Sequence, residues 1–235
     1  CQRRPQPGWP AERRHLSQKD ALDTLNHVSN ISSVTFSASD VVRHGLVAKI
    51  VKAYEEKAKK QHGDDKHSLN LTVNEPAWLQ ALPDVETISG EVFSQVLDYV
   101  GSHEEIDFLQ SGKNINVNLC LGNDDEVHAL NREFRGKDKP TNVLSFANID
   151  DESFADEWSD GEEIELGDII IALGTMQAEA ENQNLTLHDH YCHLFAHGLL
   201  HLLGYDHIEA DEAEHMESFE NAILKQMNIN NPYEE

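Results

Sequence analysis

Apolar and polar positions alternate most clearly at Asn114–Leu121, where Ile115, Val117, Leu119 and Leu121 share one face and predict a half-buried strand. Leu69–Val73 alternates in the same way, Asn142–Phe146 predicts a short strand, and Leu166–Ile171 predicts a buried one. Helical spacing predicts elements over about Gly90–Tyr99 and Asp124–Phe134. A long helix is predicted from the end of the Leu166–Ile171 strand to about Leu203, and a closing helix from about Asp211 to Met227. Residues 150–165 are acidic, lack a clear apolar period and are predicted to form a mobile loop. Strands mixed with helices in this way predict an α+β fold, a small mixed sheet packed with helices. Towards the start of the chain, residues 17–28 predict a short helix with Ser17 as its N-cap. Ile31–Phe36 predicts a strand, and Ser39-Asp40 begins a helix running to about Lys60. Residues 61–68 have the composition of a linker, which leaves a mostly helical N-terminal extension over 1–60 and a domain over 69–235.

Charge follows this division. Residues 1–66 hold 12 Lys and Arg against 8 Asp and Glu, whereas residues 67–235 hold 6 against 35. A domain this acidic does not bind nucleic acid through its overall charge. Four of its six basic residues nevertheless fall within eight positions, Arg132, Arg135, Lys137 and Lys139. No apolar run approaches the ~20 residues of a membrane span, and no secretory signal pattern opens the chain. Cys1, Cys120 and Cys192 are odd in number and widely spaced, which predicts a reducing, cytoplasmic setting with no disulfide framework. The only methionines are Met176, Met216 and Met227, so the chain is expected to be a fragment, a processed product or a fusion that starts upstream.

The chemistry concentrates in His197-Gly-Leu-Leu-His201-Leu-Leu-Gly204-Tyr-Asp-His207. Residues four apart share a helix face. Gly204 can end the helix in a left-handed conformation, so the chain turns back and His207 joins the first two imidazoles. Three imidazoles with a fourth position left to water describe a catalytic zinc site. His193 also lies four residues before His197, so the trio could shift by one turn; the Gly204 break favours His197, His201 and His207, with His193 beside the site or facing solvent. Asp206 orients an imidazole or serves only the turn, and Cys192 points away as a buried thiol. The spacing is shared with zincin proteases, but those need a Glu beside the first His, and here that position is Gly198. Met216 sits among helix-spaced apolar residues as ordinary core.

The second constellation is Arg135-Gly-Lys137-Asp-Lys139-Pro-Thr-Asn-Val-Leu-Ser-Phe146, a basic loop leading into a strand. The Arg135 guanidinium forms a planar fork matched to phosphate oxygens, and Lys137 and Lys139 can follow a phosphate backbone as point charges. Phosphate grip plus a metal is the equipment of phosphodiester cleavage.

Together, the histidine run, the Arg135 motif, Leu166-Gly-Asp-Ile169 and Glu214-x-Met216 resemble the YbeY family, the zinc-dependent endoribonucleases of bacterial rRNA maturation. The resemblance covers about residues 67–235. It implies a single-strand-preferring ribonuclease that processes and quality-checks small-subunit rRNA, with rRNA and the small ribosomal subunit or its proteins as partners. It implies one Zn2+ on His197, His201 and His207, with His197 and Arg135 catalytic and Arg135, Lys137 and Lys139 on the phosphates. The general base is left open between water activated at the metal, the substrate 2′-hydroxyl and a residue not yet identified. A non-catalytic ribosome-assembly factor and a zinc metalloprotease remain the alternatives. Residues 1–60, with Arg14-His-Leu-Ser17 and Ala53-Tyr54-Glu55, resemble the C-terminal tail of PhoH-like ATPases, which implies a fused or adjacent ATPase; the phosphate-cradling Gly-rich loop of such an ATPase is missing from this sequence.

Overall fold

The computed structural model describes residues 67–230, so the helices expected over 17–28 and 39–60, the strand over 31–36 and nearly all of the linker lie outside the described residues. Four strands, β1 (Ser68–Val73), β2 (Asn114–Gly122), β3 (Val143–Ala147) and β4 (Glu163–Ala172), form one sheet in the order β1-β2-β4-β3. β1, β2 and β4 are mutually parallel, and β3 runs antiparallel to β4 on the edge. The expected α+β fold with a small mixed sheet is the one observed.

Around the sheet lie the short α1 (Trp78–Ala81) and α3 (Asp107–Gln110), then α2 (Val85–His103), α4 (Asp124–Arg135), α5 (Phe154–Asp160), α6 (Leu173–Gln183), α7 (Leu187–Leu202) and α8 (Ala210–Gln226). Ile115, Val117, Leu119 and Leu121 of β2 point into the main core, as their alternation predicts, among residues of α2, α7 and α8. Cys120, Leu144, Ile170 and Ala172 point to the other face and meet Val127 and Leu130 of α4. α4 and α7 therefore cover opposite faces of the sheet. α4 is bounded by strong local signals. Asn123 and Glu126 form a reciprocal capping box, and Gly136 ends the helix at φ 64°.

Three boundaries differ from expectation. α2 extends well beyond Gly90–Tyr99, because buried Val85 and Val100 prolong its apolar face at the two ends and Gly90 sits in open space without breaking it. The predicted long helix is two, α6 and α7. Asn184 adopts a left-handed φ of 55°, and the Thr186 side chain caps α7 by accepting from Asp189 N. The segment expected as a loop over 150–165 contains α5 and the start of β4. Its anchor is Phe154, buried edge-on against Phe108 with ring centroids 5.6 Å apart, while Lys113 Nζ donates to the carbonyls of Trp158 and Ser159 at the far end. Acidic side chains masked this element, because only two aromatics carry its packing. Among the described residues no helix is long and apolar enough to cross a membrane.

Candidate metal centre

α7 is buried on most of its circumference, with Leu194, Phe195, Leu199 and Leu202 in the core. Gly198 faces the sheet: a Cβ there would sit 3.1 Å from Ile169 Cδ1 and 3.2 Å from Ile169 Cγ2. Its role is close helix–sheet approach, and a glutamate at this position would meet β4 first. His193, His197 and His201 occupy the less buried face.

The end of α7 is built as the sequence implies. Gly204 is left-handed at φ 94°. Gly204 N donates to the His201 carbonyl and Tyr205 N to the Leu200 carbonyl, both at 3.0 Å, the paired bonds of a Schellman motif. The reversal brings His207 back over the helix, with its ring centroid 5.4 Å from that of His197 and 5.0 Å from that of His201. One nitrogen from each of the three imidazoles lies within 4.8 Å of the others. The Nε2 atoms of His197 and His201 are 3.1 Å apart. Two ligands on one tetrahedral zinc are separated by about 3.3 Å at ordinary Zn–N lengths, so this pair fits such an ion.

Ring orientation is set from behind. His197 Nδ1 donates to Glu220 Oε1 at 2.7 Å, and His201 Nδ1 donates to the Tyr205 carbonyl at 2.9 Å. These bonds place the proton on Nδ1 of both rings and leave both Nε2 atoms unprotonated, with their lone pairs available to an ion. Burial first, then the neighbouring His197, pushes the His201 pKa down to about 4, so at neutral pH this ring is already in the form that ligates a metal. Cys192 is buried and its thiol is pushed up to about 12, chiefly by burial, in keeping with an inert core thiol. Asp206 accepts from its neighbour's backbone, His207 N, at 2.7 Å and so serves the turn. Met216 is core.

Sequence reasoning missed Glu220. Only 1% exposed, it lies on α8, 23 residues from His197, and also accepts from His193 Nε2 at 3.2 Å. Its signal was a carboxylate inside the apolar stripe of Met216, Phe219, Ile223 and Leu224, where an acid is retained only if paired. Glu220→Leu is expected to weaken metal binding by roughly 10–100-fold, the usual effect of losing a carboxylate behind a ligating histidine. Competition against a chromogenic chelator measures this; an unchanged affinity would remove Glu220 from the centre.

The basic residues occupy a different element. Arg135 ends α4, and Arg132, Lys137 and Lys139 are exposed like it. The loop after α4 is braced: buried Asn131 donates from Nδ2 to the Lys139 carbonyl at 2.8 Å, and Lys137 N donates to the Asn131 carbonyl at 3.2 Å. Phe134 packs edge-on against Phe146 of β3 with centroids 5.2 Å apart. The three histidines thus converge on one point, while Arg135 starts from the other face of the sheet, beside edge strand β3.

The family model for endoribonuclease YbeY matches residues 81–228. The chain belongs to the YbeY endoribonuclease family. The YbeY endoribonuclease of Paramagnetospirillum magneticum is 42% identical over 160 residues, covering 68% of this chain and 92% of its own length. That of Rhizorhabdus wittichii is 52% identical over 118 residues, covering 50% of this chain and 70% of its own. A Francisella tularensis subsp. novicida YbeY endoribonuclease is 47% identical over 117 residues, again covering 50% and 70%. The YbeY match takes in both the histidine run and the basic loop.

Proposed function

We propose that this chain is a zinc-dependent endoribonuclease that cuts single-stranded RNA during small-subunit rRNA maturation and ribosome quality control. The observation that carries this reading is the convergence of three imidazole nitrogens within 4.8 Å on the surface of a YbeY-family domain. His197, His201 and His207 hold the ion, and His197 and His201 are oriented from behind by Glu220 and the Tyr205 carbonyl. A zinc ion bound there would supply Lewis-acid polarisation of the phosphodiester and an activated water. Exposed His207 leaves the centre open to a polymer. Arg135 grips a phosphate with its fork, and Lys137 and Lys139 follow the adjoining backbone. In an acidic domain this island gives RNA one place to land and repels it elsewhere. The partners are rRNA and the small subunit or its proteins, with a PhoH-like ATPase fused or adjacent, in the cytoplasm.

The test is metal analysis paired with cleavage of a single-stranded RNA oligonucleotide. Arg135→Ala is expected to lower kcat/KM by roughly 100-fold, the scale of losing one charged contact to a transition state, with metal content unchanged. Lys137→Ala should instead reduce the salt dependence of binding by about 0.7 in the log–log slope. Full cleavage by the Arg135 variant would defeat the proposed phosphate grip.

A further inference from the structure

The histidines and the basic loop stand on different elements, yet a polar bridge joins them, half-buried at Glu179 and Asn142 and buried at His190. Glu179 lies on α6 and uses one oxygen, Oε2, for two donors: Asn142 Nδ2 at 2.8 Å and His190 Nε2 at 3.0 Å. Asn142 closes the basic loop. Its carbonyl accepts from Ala172 N at 2.8 Å, and its side-chain Oδ1 accepts from Val143 N at 2.7 Å, which leaves the amide nitrogen for Glu179. His190 lies on α7 seven residues before His197, about 10 Å along the helix axis at 1.5 Å per residue. It is buried, and its other nitrogen, Nδ1, has no hydrogen-bond partner, so the bond to Glu179 is the ring's polar anchor. Burial also lowers the His190 pKa, which keeps the ring neutral with its proton on the side of Glu179.

We propose that Glu179 is a positioning residue that clips the loop carrying Lys137 and Lys139 to the helix carrying the metal ligands, and so holds the RNA phosphate grip in register with the cleavage centre. The bridge does not touch RNA. It rests on the reading of the loop as a phosphate grip. Glu179 has two separable arms, one to the loop and one to the helix. A carboxylate that merely packed α6 against α7 would need only the His190 arm.

The experiment uses the full zinc-loaded chain with Glu179→Ala, Glu179→Gln and Asn142→Ala. Because Asn142→Ala leaves the His190 arm intact, the packing of α6 on α7 stays in place. Glu179→Ala and Asn142→Ala are each expected to raise KM for a single-stranded RNA oligonucleotide by about tenfold, as loss of one hydrogen bond to a carboxylate implies. In both, kcat should stay within about twofold, zinc content should not change, and amide exchange over 136–142 should quicken by about tenfold. The double variant should be no worse than either single one, because both break the same link. Glu179→Gln keeps an oxygen that can accept both donors and should restore most of the KM. Unchanged amide exchange over 136–142 in both alanine variants would overturn the clip, as would a rise in KM that tracks loss of zinc. If Arg135→Ala and Lys137→Ala both cleave normally, the phosphate reading fails instead, and the exchange data still report on the clip.

Discussion

His197→Ala is expected to empty the metal centre and stop RNA cleavage. Zinc per chain should fall from about one to near zero under a mild chelator, because a three-histidine site has no protein ligand to spare. kcat/KM should fall by at least about 1000-fold, since the substitution removes Lewis-acid help along with the ion. The fold should survive: His197 is partly exposed on a helix, and alanine is a better helix former. His193→Ala is the decisive companion. It lies one turn earlier and could have been a ligand on spacing alone, but its Nε2 is engaged by Glu220. Its variant should keep the bound zinc. Elemental analysis of both proteins distinguishes the two registers, and metal loss in His193→Ala with retention in His197→Ala would reverse the ligand assignment.

Gly167→Ala is expected to destabilise the domain by about 3 kcal/mol or more, in the range of strained backbone combined with a steric clash. Gly167 sits in β4 at φ 138°, where the register against β2 shifts so that Leu166 is the extra residue. A Cβ there would run into the Phe146 carbonyl on β3 and lie 3.1 Å from Leu202 Cδ2 at the end of α7. Backbone cannot yield as a flexible side chain can, so β3 must shift or the pairing of Ala147 with Gly167 must open. The strain falls between the metal helix and the edge strand that leads from the basic loop. For a domain of this size the melting temperature should drop by roughly 6–12 °C. Gly90→Ala in α2 is the control: no atom lies within 4 Å of its Cβ, and a helical Gly→Ala exchange should stabilise by about 0.5–1 kcal/mol. Equal melting of the Gly167 variant and the parent protein would show that the strand does not hold this geometry.

Legibility in the sequence followed locality. The alternation of β2, the capping box of α4, the turn at Gly204 and the convergence of His197 with His201 each depend on residues within a few positions of one another. Asn184 and Thr186 were equally local signals for the break between α6 and α7, and a continuous apolar pattern hid them. The helix at 154–160 was illegible because two aromatics anchor it by meeting Phe108, some 46 residues away. At position 198 the sequence shows a glycine where a protease has its acid; the fold adds that the position faces Ile169, so the glycine is there for contact.

What the sequence by itself determined is the three-histidine run, the mixed α+β pattern and the family, because helix phase, caps and strand alternation are set over a few residues by backbone geometry. What only the tertiary structure decided is what stands around that run. Glu220 reaches His197 from another helix, Glu179 ties Asn142 to His190, and the sheet separates the helix of Arg135 from the helix of the histidines. Such partners are distant in sequence, and packing alone selects which buried polar group completes which hydrogen bond.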